Sequence, residues 1–265
     1  MFYHAKEHTL KMGNTQMDYI SFGKGTKPLI LIPGLSFNRV KGSAVPLAYM
    51  YRIFANDYKV YVFDKKEMIP EGYTVKNIAQ DTAYAMKTLG LSHAYVFGVS
   101  QGGMIAQYLA ADYPELVDKL VLGVTLSRPN ETVKKVVNHW IELAENNDCK
   151  DIVVDMLENM YSDAYVKRYK WLFPLFTKLS KPKDMKRFII LAKACLTCNI
   201  YEECYKIQCP VFVIGGRQDK VVTGEASEEI AEKLKCGIYM YDDLGHSAYE
   251  EAKDFNSRVY NFLCG

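Results

Sequence analysis

No stretch of this chain is apolar for long enough to cross a membrane. Runs such as residues 28–33 and 211–214 fall far short of the about 20 residues that a spanning helix requires. An excess of one charge is also missing: 33 basic and 31 acidic residues leave a net charge of +2, without the electrostatic footprint of a nucleic-acid binder. A secretory signal is not visible either, because Lys6, Glu7, His8 and Lys11 interrupt the amino-terminal window. These absences lead to the expectation of a cytoplasmic protein with no nucleic-acid partner and no membrane span. They leave the oligomeric state open.

A disulfide framework is equally unexpected, since seven cysteines is an odd number in a chain without an export signal. Cys195, Cys198, Cys204 and Cys209 raise the question of zinc, because a C-x-x-C pair followed by two further thiols offers four tetrahedral ligands. The second pair has the wrong spacing. The first lies in an apparent helix over 185–200, where thiols three residues apart serve as small apolar packing groups. Gly23-Lys24 lacks the spacing that precedes a phosphate loop and reads as a turn. Internal repeats and low-complexity segments are absent.

What is present is length enough for a substantial core, 265 residues, and an alternation of strand-like and helix-like segments typical of a largely parallel sheet. Residues 7–11 and 16–22 predict an antiparallel opening pair. The continuous apolar run 28–32 predicts a central parallel strand. A helix from Ser43 to about Asn56, a strand over 60–63, an amphipathic helix over 74–89 closed by Gly90, a strand over 94–99, a helix from Gly103 to Asp112 and a strand over 119–125 follow. From 127 to 206 only helix-compatible segments occur, with breaks near 146–147, 162–163, Pro174 and 180–182. Alternation then resumes: strand 211–214, helix 225–234, strand 237–241 and a terminal helix over 248–263. The chain thus divides into a core of 1–126 and 207–265 and an all-helical insertion of 127–206.

Residues 98–102 read Gly-Val-Ser-Gln-Gly, a G-x-S-x-G placed between a strand and a helix. Composition alone produces this motif in roughly one chain of this length in ten to twenty, so its context carries the argument. A serine hydroxyl needs an imidazole to accept its proton, and the imidazole needs a carboxylate to fix its tautomer and stabilise its charged form. In a parallel sheet such groups converge at the carboxyl ends of strands. Ser100, Asp219 and His246 each follow a predicted strand, in the order expected of a strand-to-helix serine elbow. The Asp219-to-His246 interval accommodates one crossover helix and one strand. Asp242 and Asp243 are nearer to His246 in sequence but lie on the strand end leading into its loop. His4, His8, His93 and His139 have no comparable context.

Leu31-Ile32-Pro33-Gly34-Leu35, the 98–102 elbow, Gly215-Gly216-Arg217-Gln218-Asp219 and Gly245-His246 together resemble the α/β-hydrolase superfamily over nearly the whole chain. The likeness is to serine hydrolases with a helical cap, of the esterase and enol-lactone hydrolase kind. It implies an α/β fold with a mostly parallel sheet flanked by helices, Ser100 as nucleophile, His246 as general base and acid, and Asp219 as its orienting acid. It further implies an oxyanion hole from the backbone N–H groups of Leu35 and Gln101, with no cofactor and no metal. Many relatives have His where this chain has Pro33, and an Arg-Gly-x-Gly loop where it has Asp64-Lys65-Lys66-Glu67.

The expected reaction is hydrolysis of a small carboxylic ester, thioester or lactone through an acyl-enzyme. Carbon–carbon bond hydrolysis and acyl transfer use the same triad, and a ligand receptor built on this fold is the reading from another class. A serine at 100 disfavours the epoxide hydrolase and dehalogenase relatives, which attack with a carboxylate. The aromatics of the insertion, with Trp140, Tyr161 and Trp171 as pocket candidates, favour an apolar or aromatic acyl group.

Overall fold

The computed structural model describes residues 2–179 and 184–265. Strands β1 (Lys6–Met12) and β2 (Thr15–Phe22) form the expected antiparallel pair around a turn at Gly13. They lead into β3 (Lys27–Ile32), helix α1 (Ala44–Met50), β4 (Tyr58–Phe63), α2 (Val75–Thr88), β5 (Ala94–Val99), α3 (Gln101–Asp112) and β6 (Val117–Gly123). Between β6 and the next strand the described residues form helices: α4 (Glu131–Glu145), α5 (Cys149–Met160), α6 (Asp163–Tyr169), α7 (Phe173–Leu179) and α8 (Met185–Cys195). The chain ends with β7 (Val211–Gly216), α9 (Gly224–Leu234), β8 (Gly237–Tyr241), α10 (Ala248–Glu251) and α11 (Phe255–Cys264).

One sheet of eight strands runs in the order β1-β2-β4-β3-β5-β6-β7-β8. β2 pairs antiparallel with both β1 and β4, whereas β4, β3, β5, β6, β7 and β8 are mutually parallel. Successive side chains point to opposite faces of a strand, and both faces of β3 are buried. Ile30 and Ile32 enter the core shared with α2, α3 and α8, whereas Leu29 and Leu31 enter the core shared with α1 and α11. That two-sided burial is why the strand reads as an unbroken apolar run.

Local signals set several boundaries. Thr74 caps α2 reciprocally with Asn77: its hydroxyl accepts from the Asn77 N–H, and the Asn77 side chain accepts from the Thr74 N–H. Asn130 and Ser162 cap α4 and α6 through their side chains. Pro174 sits in the first turn of α7 rather than at a break, where its missing N–H costs nothing. The break expected at 180–182 lies outside the described residues.

Two expected helices are shorter than their periodicity suggested. The helix after Ser43 ends at Met50 and gives way to a single 3-10 turn over Arg52–Phe54. The terminal helix is divided at Ala252, whose backbone is extended, and resumes at Phe255. Asp254, in the gap, accepts from Tyr241 Oη at 2.8 Å and Arg258 Nε at 2.7 Å, while the Phe255 ring stacks on Phe97 and Tyr241. Tertiary packing here outweighs helical propensity.

Phe97 lies in β5 just before the elbow, 1% exposed, with Tyr51 edge-on and Phe255 stacked, each 6.2 Å away between ring centres. Phe97→Ala removes that contact and leaves a cavity, so it is expected to cost about 3–5 kcal/mol of unfolding free energy, read from urea denaturation. A loss under 1 kcal/mol would show that the two flanking rings close the gap.

Candidate active site

Between β5 and α3 the chain reverses within one residue. Ser100 sits at φ 54°, ψ −122°, a conformation that L side chains rarely adopt. Its N–H donates to Gly123 O at 2.9 Å, and its carbonyl accepts from Gly103 N at 2.9 Å and Thr125 Oγ1 at 2.7 Å. The flanking glycines are required by close approach. A Cβ on Gly102 would stand 1.8 Å from Ile32 O, and one on Gly98 would stand 2.3 Å from Gly102 O. Helix α3 thereby runs directly under β3 and β5, and it is buried almost all round.

The loops after β7 and β8 meet at this elbow. Gln218 N donates to Leu244 O at 3.0 Å and Gln218 Nε2 to Asp242 O at 3.1 Å, tying the two loops together. Asp219 Oδ1 accepts from Val221 N at 2.8 Å and Val222 N at 2.9 Å, which leaves Oδ2 to bond His246 Nδ1 at 2.8 Å. His246 Nε2 then reaches Ser100 Oγ at 2.9 Å. Asp219 and His246 are buried and Ser100 is half-buried. An imidazole held in this way has one nitrogen facing a carboxylate and the other facing a hydroxyl, which is the arrangement that lets it take a hydroxyl proton.

The other sequence candidates lie elsewhere. Asp242 is exposed and pairs with Arg217 Nε at 2.8 Å, and Asp243 is exposed. His8 bonds Ser21, His93 bonds Asp118, His139 lies 3.6 Å from Asp155, and His4 is exposed. The thiols of Cys195, Cys198 and Cys204 are buried and have separate partners: Gln101 Nε2 with Leu191 O, Leu126 O, and Ser127 Oγ respectively. Cys209 is partly buried.

Gln101 begins α3, and residues 33–35 run beside Ser100: a Cβ on Gly34 would be 3.2 Å from Ser100 Cβ. The backbone groups of Leu35 and Gln101 therefore flank the serine from two separate elements. A cavity of about 400 Å³ opens against Gly34, Leu35 and Val99. Its far wall comes from α5 and its end, through Val153, Met156, Leu157, Met160 and Tyr161. The Tyr161 hydroxyl donates to Glu250, the charged residue of this lining, and burial together with that carboxylate pushes the phenol's pKa upward.

Of the aromatic pocket candidates, Tyr161 lines this cavity and the two tryptophans do not. Trp140 is buried between α4 and α5, donating to Asp155 Oδ1 at 2.7 Å, and Trp171 is 75% exposed. Sequence reasoning missed Met50, Met156, Met160, Tyr249 and Glu250 of the lining. Met156 and Met160 do recur at helical spacing, but nothing in that spacing says whether the face they share meets a core or a cavity.

The eight-stranded sheet, the strand-to-helix serine and the arrival of Asp219 and His246 on successive strand loops define a class: the chain belongs to the α/β-hydrolase family and is a hydrolase-family enzyme. The family model for the alpha/beta hydrolase fold matches residues 27–148. A putative carbamate hydrolase RutD of Serratia proteamaculans (strain 568) is 31% identical over 214 residues, 72% of this chain and 73% of that protein. A 2-hydroxy-6-oxononadienedioate/2-hydroxy-6-oxononatrienedioate hydrolase of Pseudomonas sp. is 26% identical over 225 residues, 78% of this chain and 77% of its own. Among solved structures, the enol-lactonase of Burkholderia xenovorans LB400 superposes with a TM-score of 0.84 at 19% identity, over 97% of this chain and 100% of its own.

The positive φ at Ser100 has a measurable consequence. Residues forced into such conformations cost about 1–3 kcal/mol, and glycine returns roughly 0.5–1 kcal/mol of that through unfolded-state entropy. Ser100→Gly is therefore expected to be about 1 kcal/mol more stable than Ser100→Ala in urea unfolding. Equal stabilities would mean that the elbow is unstrained.

Proposed function

We propose that the protein is a serine hydrolase that cleaves a small, neutral carboxylic ester, thioester or lactone through an acyl-enzyme. The observation that carries this reading is the continuous line from Asp219 Oδ2 through His246 to Ser100 Oγ, at 2.8 and 2.9 Å. In this mechanism Ser100 Oγ attacks the substrate carbonyl as His246 Nε2 takes its proton, and Asp219 stabilises the imidazolium. The negative charge on the carbonyl oxygen is met by the N–H groups of Leu35 and Gln101. Collapse expels the alcohol or thiol, which receives the proton from His246. Water then repeats the sequence on the acyl-enzyme and frees the acid.

In this reading the 127–206 insertion is a cap that shapes the acyl site from above. Its α5 side chains support an apolar acyl group, whereas Glu250 disfavours an acyl chain that ends in a carboxylate. Seven cysteines without a disulfide suit a reducing compartment such as the cytoplasm.

Ser100→Ala is expected to lose about 10⁴-fold or more of ester hydrolysis, and Ser100→Ala with His246→Ala to be little worse than either alone, since the two act as a unit. Undiminished turnover in Ser100→Ala overturns the mechanism. Labelling of Ser100 by a fluorophosphonate without turnover of any ester favours acyl transfer or a receptor role.

Each buried methylene contributes about 0.8 kcal/mol. Lengthening a 4-nitrophenyl ester from acetate to butanoate should thus raise kcat/KM roughly tenfold. A carboxylate-terminated acyl chain of the same length should be the poorer substrate, and Glu250→Gln should narrow that difference. A preference for acetate would show that the cavity does not receive the acyl group.

A further inference from the structure

Residues 33–35 belong to neither helix nor strand, and among the described residues the hydrogen bonds made to their backbone come from one side chain. Lys65 Nζ donates to Pro33 O at 2.8 Å and to Gly34 O at 2.9 Å. In a trans peptide the C=O and the following N–H point in opposite directions, and no cis bond occurs among the described residues. A Gly34 carbonyl turned to Lys65 therefore fixes the Leu35 N–H on the opposite side of the chain.

Lys65 is itself held. Its own N–H donates to Asp64 Oδ1 at 2.7 Å, and Asp64 Oδ2 accepts from Val40 N at 3.1 Å. From α8, Arg187 Nη2 reaches Lys65 O at 2.9 Å and Nη1 reaches Lys66 O at 2.7 Å and Glu67 O at 3.0 Å. The same helix takes hold of the other proposed oxyanion donor, since Gln101 Nε2 donates to Leu191 O at 2.6 Å and to Cys195 Sγ at 3.1 Å. Both flanks of Ser100 are thus tied to α8, a helix of the stretch between β6 and β7.

We infer that Lys65 is a positioning residue for the oxyanion site: its ammonium holds the 33–34 carbonyls so that the Leu35 N–H faces the reacting carbonyl, with α8 bracing Lys65 and Gln101 together. This rests on the serine-hydrolase reading above. It assigns a role to a residue of the stretch where the chain departs from the Arg-Gly-x-Gly pattern, and it makes α8 part of the catalytic geometry while α5 lines the acyl site.

A charged donor roughly doubles the strength of such hydrogen bonds, so the hold depends on the ammonium. Burial pulls the pKa of Lys65 down to about 8, with Arg187 pulling the same way and Asp64 and Cys195 opposing. The other charged groups packed around it are Arg39, 3.6 Å from Asp64, and Glu67, 3.1 Å from Arg39. Burial keeps the Cys195 thiol up at about 11, protonated through this range. Below about pH 8 Lys65 is charged and the loop is held; above it the amine is neutral and the hold weakens.

The test follows kcat and KM for 4-nitrophenyl butanoate from pH 6 to 9.5 in the wild-type protein, Lys65→Met and Lys65→Arg. Fluorophosphonate labelling of Ser100 and the Ser100→Ala variant run alongside. Misdirecting one oxyanion donor should lower kcat by about 10- to 100-fold, short of the loss when a donor is removed, with KM little changed. The wild-type protein should lose kcat above about pH 8, Lys65→Met should lack that limb, and Lys65→Arg should recover most of kcat with the limb moved out of range. A small cavity of about 160 Å³ beside Lys65 and Arg187 gives room for the larger side chain.

A Lys65→Met protein with wild-type kcat and an unchanged limb overturns this inference while Ser100 labelling stands. If Lys65→Met fails to fold, a Lys65→Arg protein whose limb remains near pH 8 overturns it equally. Turnover that does not need Ser100 overturns both this inference and the reading on which it rests.

Discussion

The absence of a side chain at Gly102 is the constraint on which the remaining structure depends. Helix α3 can begin one residue after β5 only because nothing projects from Gly102 toward Ile32 O, where a Cβ would stand 1.8 Å away. That contact brings the first turn of α3 against the end of β3, so that Ser100, Gln101 and the 33–35 loop occupy one small region. Its energetic counterpart is the backbone strain at Ser100, which is offset by the Ser100 hydrogen bonds to β6 and Thr125 and by the burial of α3. Strain of this kind persists only where the surrounding structure over-determines the conformation.

Around this elbow two buried polar systems stand side by side. In one, Asp219 and His246 are bound to each other and to Ser100, and the spare carboxylate oxygen is satisfied by two N–H groups. In the other, Asp64, Lys65 and Arg187 bring charges into the interior that would be costly if left alone, and each is hydrogen-bonded to backbone. The first system is built from loops at the carboxyl ends of β5, β7 and β8. The second joins the loops after β3 and β4 to α8. The sheet supplies fixed points for both, because its parallel strands end on the same side.

Much of this was legible in the sequence, for local reasons. The strands around 28–32, 94–99 and 211–214 announced themselves by continuous apolar runs, since a strand buried on both faces has no polar positions to interrupt it. The elbow announced itself by its glycines. Asp219 was separable from Asp242 and Asp243 by its position relative to a strand end, and in the folded chain Asp242 turns to Arg217 instead. The extent of the last helix was misread, because the periodicity of 248–263 carries no trace of the Phe255 packing that divides it. The aromatics of 127–206 were unreadable individually: Tyr161 lines the cavity, Trp140 packs between helices and Trp171 faces outward.

The sequence by itself determined which segments are strands and helices, their alternation, and the residue types that end at the carboxyl edge of the sheet, because these follow from hydrophobic period, glycine sterics and loop length within a few residues of each position. Only the tertiary structure decided what the cavity is lined with and what holds the loop beside Ser100. The reason is distance along the chain: Lys65 and Gly34 are separated by 31 residues, and Arg187 and Lys65 by 122. A lysine in a loop looks the same in sequence whether its ammonium faces water or two backbone carbonyls, and the difference arises only when three distant segments pack together.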